Sequence, residues 1–93
     1  EIDANVGGEV ARAVGFKMQQ LGNRHQVISI THFPQVAALA SHHYLVQKAS
    51  AGNRTISCLR EVSHEDRIEE LVRMLGGGGD HARTLARALL QPA

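Results

Sequence analysis

An α/β fold, with central strands flanked by helices, is predicted by three features of the 93-residue sequence. Apolar residues recur at three- and four-residue spacing in Val10, Ala13, Val14, Met18 and Leu21, and again in Ile68, Leu71, Val72 and Leu75, which places each set on one face of a helix. Between them lies a β-rich apolar run, Val27-Ile28-Ser29-Ile30, of the kind a sheet buries on both faces. Two further β-rich stretches, residues 43–48 and 55–62, flank a loop containing Gly52 and Asn53.

The first helix spans residues 8–21, and Gly22-Asn23 supplies its stop, as a left-handed C-terminal cap prefers. Residues 26–31 form the buried strand. Pro34 fits the first turn of the next helix, where its missing N–H would be unpaired anyway, and that helix runs to about Ala40. The order strand, helix, strand predicts a parallel pair. Residues 43–48 and 55–62 then read as a hairpin closed through residues 49–54. Ile56 and Cys58 point one way and Ser57 and Leu59 the other, which marks an edge strand.

Ser63 followed by Asp66 resembles a capping box with Asp in place of Glu or Gln, and the helix it opens pairs Glu69 with Arg73 on its wet side. Residues 76–79, four glycines, end that helix. Asp80 caps the last one, whose apolar face is Ala82, Leu85, Ala86 and Leu89. The glycine run is a breaker and hinge, not a phosphate loop. A Walker A loop needs Gly-Lys-Ser/Thr opening a helix, and here Asp80-His81 follows. No internal repeat occurs and no linker divides the chain, so residues 1–93 form one unit.

Composition narrows the classes. A chain of this length buries only about 60–65% of its unfolded surface, so its stability margin is thin. The net charge of +1 and pI near 8.3 do not supply the clustered basic face of a DNA-binding domain. A single cysteine, Cys58, excludes an internal disulfide and fits a reducing compartment, the cytoplasm by default. No apolar run approaches the roughly 18 residues of a membrane span, and the N-terminus lacks the basic-then-apolar order of a signal peptide. Phe16, Phe33 and Tyr44 are the only aromatic rings besides histidine, too few for a single-strand stacking platform.

Two residues are placed to carry chemistry. Ligands in open α/β sheets bind outside the carboxyl ends of the strands, so Glu1 and His32, the latter just after the apolar run, can face one site. A histidine there either satisfies local structure or donates a hydrogen bond to a phosphate, with added Coulomb attraction when charged. His42 and His43 are adjacent, so on a strand they point to opposite faces and cannot share one ion without distortion. With one Cys and no HExxH or CxxC spacing, no metal site is expected. Cys58 reads as a small packed hydrophobe, and Arg12, Lys17, Arg67, Arg73, Arg83 and Arg87 read as solvated faces.

Three segments together are specific. Glu1-Ile2-Asp3-Ala4-Asn5-Val6-Gly7-Gly8, then residues 26–37 through Thr31-His32-Phe33-Pro34-Gln35, then Leu71-Val72-Arg73-Met74-Leu75-Gly76-Gly77, closely resemble the C-terminal end of the RecN family of bacterial DNA double-strand-break repair proteins. These are SMC-like members of the ABC ATPase superfamily, and the resemblance covers essentially the whole chain. It implies the C-terminal lobe of an ABC-type, P-loop NTPase-like head, incomplete without its N-terminal lobe. By that resemblance Glu1 is the catalytic glutamate that orients the attacking water, Asp3-Ala4-Asn5-Val6-Gly7 is the D-loop that crosses to a partner head, and His32 is the switch histidine at the γ-phosphate.

The same resemblance implies ATP and magnesium as cofactors, an N-terminal segment carrying Walker A as companion, a second head in a homodimer, DNA as the parent protein's partner, and a nucleoid-associated, cytoplasmic location. The chain contains neither Gly-Lys-Ser/Thr nor Leu-Ser-Gly-Gly-Glu, and it opens at Glu1. A preceding segment is therefore expected, and residues 1–93 alone are expected to be inactive. The contrasting reading is a small non-enzymatic α/β interaction module in which Glu1 and His32 are incidental.

Overall fold

A computed structural model of the chain describes residues 7–91. It contains α1 (Gly8–Leu21), α2 (Pro34–Ala37), β1 (Tyr44–Ala51), β2 (Arg54–Glu61), α3 (His64–Met74) and α4 (Gly79–Leu90). The architecture is mixed α/β, with one two-stranded sheet among the described residues.

The core is small and lies where α2, α3 and α4 meet. Ala37, Ala38, Ile68, Leu71 and Ala86 are buried together, with Val72, Met74, Leu75, Leu89 and Leu90 packed around them. Leu71 is fully buried. The apolar stripe expected on α3 is therefore the one that builds the core. Alanines on α2 and α4 let the backbones approach closely, so little apolar volume is needed to exclude water.

Both ends of α3 follow from local chemistry. The Ser63 hydroxyl accepts the Asp66 N–H at 3.3 Å, half of the expected capping box. At the other end the Gly76 N–H donates to Arg73 O at 3.0 Å and the Gly77 N–H to Val72 O at 2.9 Å, a Schellman closure. Gly76 sits at φ 91°, a conformation costly for any residue with a Cβ. Gly78, at φ 115°, occupies the N-cap of α4, so Asp80 lies inside the first turn and does not cap it. The Asp80 charge still opposes the positive end of that helix dipole.

Other expectations are corrected. Glu69 does not pair with Arg73; it pairs with Arg83 of α4, while Arg73 grips Glu70, three residues back, with two bonds of 3.0 Å from Nε. Glu70 is buried, and its guanidinium partner supplies the charge compensation that such a carboxylate needs. On α1 the buried line is Ala11 and Gly15, whereas Val10 and Leu21 of the expected face are about half exposed. Gly22 is right-handed at φ −63°, and the helix ends in tightening turns through His25 instead of a left-handed cap.

The hairpin forms in the expected place but its turn is tighter. Tyr44 pairs with Glu61 and Ala51 with Arg54, which leaves Gly52-Asn53 as a two-residue connection with φ 63° at Gly52. Glycine first with a positive φ is the II′ pattern, whose twist matches the flanking strands. Both strands are edges, and no described helix lies alongside them. Val46, Ile56 and Leu59 are accordingly exposed, as is Cys58, which does not pack as a buried hydrophobe.

The largest departure is at residues 26–31. They are neither a strand nor half of a parallel pair; the pairing present is the antiparallel β1–β2 hairpin. Ile28 is 84% and Ile30 73% exposed. Strand geometry is stabilised only by a neighbour on the ladder, and the described residues place none beside this run. The helix after it is regular for one turn, Pro34–Ala37, and is carried to Ala40 by the bonds from Leu39 N–H to Val36 O and from Ala40 N–H to Ala37 O.

Candidate functional site

Glu1, Asp3, Ala4, Asn5 and Val6 lie outside the described residues, so the site is described from Gly7 onward. Gly7 is the N-cap of α1, extended at φ −84° and ψ 174°, and its carbonyl accepts the Ala11 N–H at 2.8 Å.

The segment bearing His32 is shaped by its neighbours on both sides. The Thr31 hydroxyl accepts the Phe33 N–H at 3.0 Å, a side-chain turn that bends the chain at His32. The His32 ring is exposed and tilted over Phe33, with centroids 4.5 Å apart. Pro34 is buried at the start of α2, where its fixed φ suits the first turn. A short extended run, a bend and an anchored proline thus hold an imidazole out toward solvent.

Contacts between α1 and α2 bring the start of α1 beside the side chain of Gln35. A Cβ placed on Gly8 would stand 3.3 Å from the Gln35 side-chain nitrogen. One placed on Gly15 would stand 2.8 Å from Leu39 Cδ1 and 3.4 Å from Val36 Cα. Farther along, the Gln19 amide donates to Leu39 O at 3.1 Å. The two helices therefore run in the same direction. The start of α1, reached directly from residues 1–7, lies beside Gln35, three residues after His32.

The opposite end of α2 is held from α3. The Arg67 Nη2 donates to Ala37 O at 2.9 Å, Ala38 O at 3.1 Å and Ala40 O at 2.6 Å, one of its two hydrogens being shared, at the end where α2 stops; Ala37 O also accepts the Ala40 N–H. Arg67 is half-buried, and loss of hydration holds its pKa below the usual arginine value. Beside it His43, half-buried on the approach to β1, has its pKa pushed down, first by burial, then by the Arg67 charge, against a smaller upward pull from Glu70.

Arg67 is therefore not part of a solvated face, and its role was missed in the sequence. The available signal was its place four residues before Leu71, on the side of α3 that carries the core. Arg73 and Arg83 are committed to Glu70 and Glu69, and the Arg12 guanidinium lies 5.3 Å from the centre of the Phe16 ring. Lys17, Arg24 and His25 share a shallow open depression with Gln20 and Leu21, at the end of α1 away from Gly8. Among the described residues no group of three or more His, Cys, Asp or Glu side chains gathers in metal-binding reach, and no helix is long and apolar enough to cross a membrane.

No protein-family model matches the chain. Individual relatives do. DNA repair protein RecN of Mycobacterium tuberculosis (strain ATCC 25618 / H37Rv) is 47% identical over 95 aligned residues that take in 100% of this chain and 16% of the relative. The RecN of Streptomyces coelicolor is 42% identical over 100% of this chain and 17% of its own length, and that of Deinococcus radiodurans 41% identical over 91% and 16%. The chain thus spans about one-sixth of the length of the proteins it matches, in their C-terminal part. Identity of this degree across essentially every residue, in proteins from separate bacterial genera that carry one name, assigns the chain by sequence to the C-terminal part of the RecN family.

Proposed function

We infer that residues 1–93 are the C-terminal lobe of an ATP-hydrolysing, P-loop-type head in a RecN-like DNA repair protein. In this reading Glu1 is the catalytic carboxylate, Asp3-Ala4-Asn5-Val6-Gly7 the D-loop and His32 the switch histidine. The observation that carries it is the approach of Gly8 to Gln35, with 3.3 Å between the Gly8 Cβ direction and the Gln35 side chain. It brings the start of α1, which follows residues 1–7 in the chain, to the side chain of Gln35, three residues after His32. Exposure of Val27, Ile28 and Ile30 supports the same reading, since an apolar run left open fits a strand completed by another segment of a sheet.

The residues present fit one part of such a centre. A carboxylate and an imidazole suit water alignment and contact with a terminal phosphate, while the Gly-Lys-Ser/Thr cradle that grips phosphates is not in the sequence. When bound, ATP with magnesium supplies the phosphoryl group and neutralises its charge. Glu1 accepts a hydrogen bond from the attacking water and fixes its approach. His32 donates a ring N–H toward a γ-phosphate oxygen, where developing charge rewards a preplaced donor. Positioning and electrostatics carry most of the acceleration in phosphoryl transfer, so both roles bear on kcat.

The partners in this reading are the N-terminal part of the head carrying Walker A, a second head across the D-loop, and DNA for the whole protein, which works at the nucleoid in the cytoplasm. The test is ATP turnover by the complete protein with Glu1→Gln and His32→Ala. Each is expected to lower kcat by about 100-fold or more, as removal of a single preplaced catalytic donor does. Unchanged turnover in His32→Ala at intact folding favours the non-enzymatic interaction module instead.

A further inference from the structure

We propose that Arg67 is a positioning residue for the His32 loop: from α3 it clamps the C-terminal end of α2 and so fixes the rigid turn from which His32 projects. The proposal rests on the reading of His32 given above.

Three observations lead there. First, one guanidinium nitrogen serves three carbonyls, Ala37 O, Ala38 O and Ala40 O, at 2.6 to 3.1 Å. A four-residue helix has almost no stability of its own, because nucleation costs more than one turn returns. What keeps Pro34–Ala37 helical is external: buried Pro34, Val36 and Ala37, and this cation at its negative end. Second, the arrangement is poor as a purely stabilising device. Arg67 is half-buried, its Nε is buried with no hydrogen-bond partner among the described residues, and His43 Nδ1 is likewise unpartnered. An apolar side chain at position 67 would extend the Leu71 stripe and bury no unpartnered nitrogen of its own, losing only the donor to the α2 carbonyls. Departures from local optimisation of this kind collect at functional positions.

Third, the path from the clamp to His32 is short and stiff. α2 is one turn, Pro34 locks its entry, Phe33 lies against the His32 ring at 4.5 Å, and Thr31 closes the bend at 3.0 Å. With both ends of α2 held, Gly8 against Gln35 on one side and Arg67 on the other, the imidazole has a fixed base. Releasing the clamp lets α2 fray, and a donor displaced by about 1 Å costs on the order of 100-fold in rate.

The test is a double-mutant cycle in the complete RecN-type protein that carries these residues, with kcat and KM for ATP measured for Arg67→Met, Arg67→Lys, His32→Ala and the Met–Ala double variant. The expected result is a fall in kcat of about 10- to 100-fold for Arg67→Met, with KM within about twofold. The single ammonium of Arg67→Lys, a point donor aimed at three clustered carbonyls, restores most of it. In the His32→Ala background Arg67→Met then adds no further loss, because the group it positions is gone.

An equal loss in both backgrounds, or parallel changes in KM and melting temperature that Arg67→Lys does not rescue, overturns the proposal and leaves Arg67 a structural residue. Full turnover in His32→Ala overturns the reading of His32 itself, a result visible without the Arg67 variants. Should Arg67→Met not fold, Arg67→Gln, which keeps polarity but falls short of the carbonyls, carries the same comparison.

Discussion

Gly15 is where the packing that organises the site is most exposed to test. Its Cβ direction ends 2.8 Å from Leu39 Cδ1, 3.4 Å from Val36 Cα and 3.6 Å from Gln35 O. Two terms oppose each other when a side chain is added. Replacing a mid-helix glycine by alanine gains about 1 kcal/mol of helix propensity. Against that, Leu39 must rotate away, and an off-rotamer side chain costs about 0.5–1.5 kcal/mol. Gly15→Ala is therefore expected within about 0.5 kcal/mol of the parent.

Valine changes the balance. Its propensity gain over glycine is only about 0.4 kcal/mol. Its γ-methyls meet the backbone at Val36 and Gln35, which cannot rotate aside, and overpacking costs about 1–3 kcal/mol. Gly15→Val should lower stability by about 1–2.5 kcal/mol and shift the urea midpoint, read by circular dichroism, down by about 0.5–1 M. The same displacement separates Gly8 from Gln35. Should Gly15→Val be as stable as Gly15→Ala, α1 does not pack on α2 as described and the approach of Gly8 to Gln35 fails with it.

Two further outcomes follow from burial and charge. Leu71→Ala, at a position with 0% exposure, should cost about 2–5 kcal/mol in a urea titration, whereas Leu59→Ala on the open hairpin, 66% exposed, should stay within about 0.5 kcal/mol. His43 has a folded pKa below its ordinary 6.5, with burial the main cause and Arg67 the second. The unfolded chain therefore takes up the proton first, and stability present above pH 6.5 should decline as the pH falls below it toward the folded value. Urea midpoints at pH 7.5 and 5.5 should differ more in the parent than in His43→Gln; equal differences would remove His43 from the account.

Much of this fold could be read from the residues, and the parts that could not have a common physical origin. α3, α4 and the hairpin were legible because their signals are local: the Ile68-Leu71-Val72-Leu75 spacing, Ser63 at the cap, Gly76-Gly77 at the stop and Gly52-Asn53 at the turn. Residues 26–31 were misread because strand formation depends on a neighbour that local sequence does not reveal. The inward face of α1 was misread because hydrophobicity marks Val10 and Leu21 while close approach selects Ala11 and Gly15. Arg67 escaped notice for a related reason. Its three acceptors are backbone carbonyls about 30 positions away, and carbonyls carry no residue-type signal.

At the site, the position of His32 just after the apolar run is legible in the sequence, and the structure adds the bend at Thr31, the Phe33 contact and the nearness of Gly8 to Gln35. The roles of Glu1, of Asp3, Ala4, Asn5, Val6 and Gly7 as a D-loop, and of His32 as the switch histidine rest on sequence resemblance.

The central claim is that one carboxylate and one imidazole address a single phosphate. A crystal structure of the complete head with a non-hydrolysable ATP analogue and magnesium measures this directly. The expected result is a His32 ring nitrogen within about 3 Å of a γ-phosphate oxygen, with the Glu1 carboxylate bonded to a water in line with the same phosphorus. A His32 ring turned to solvent, with Glu1 and His32 on different faces of the assembled head, would contradict it.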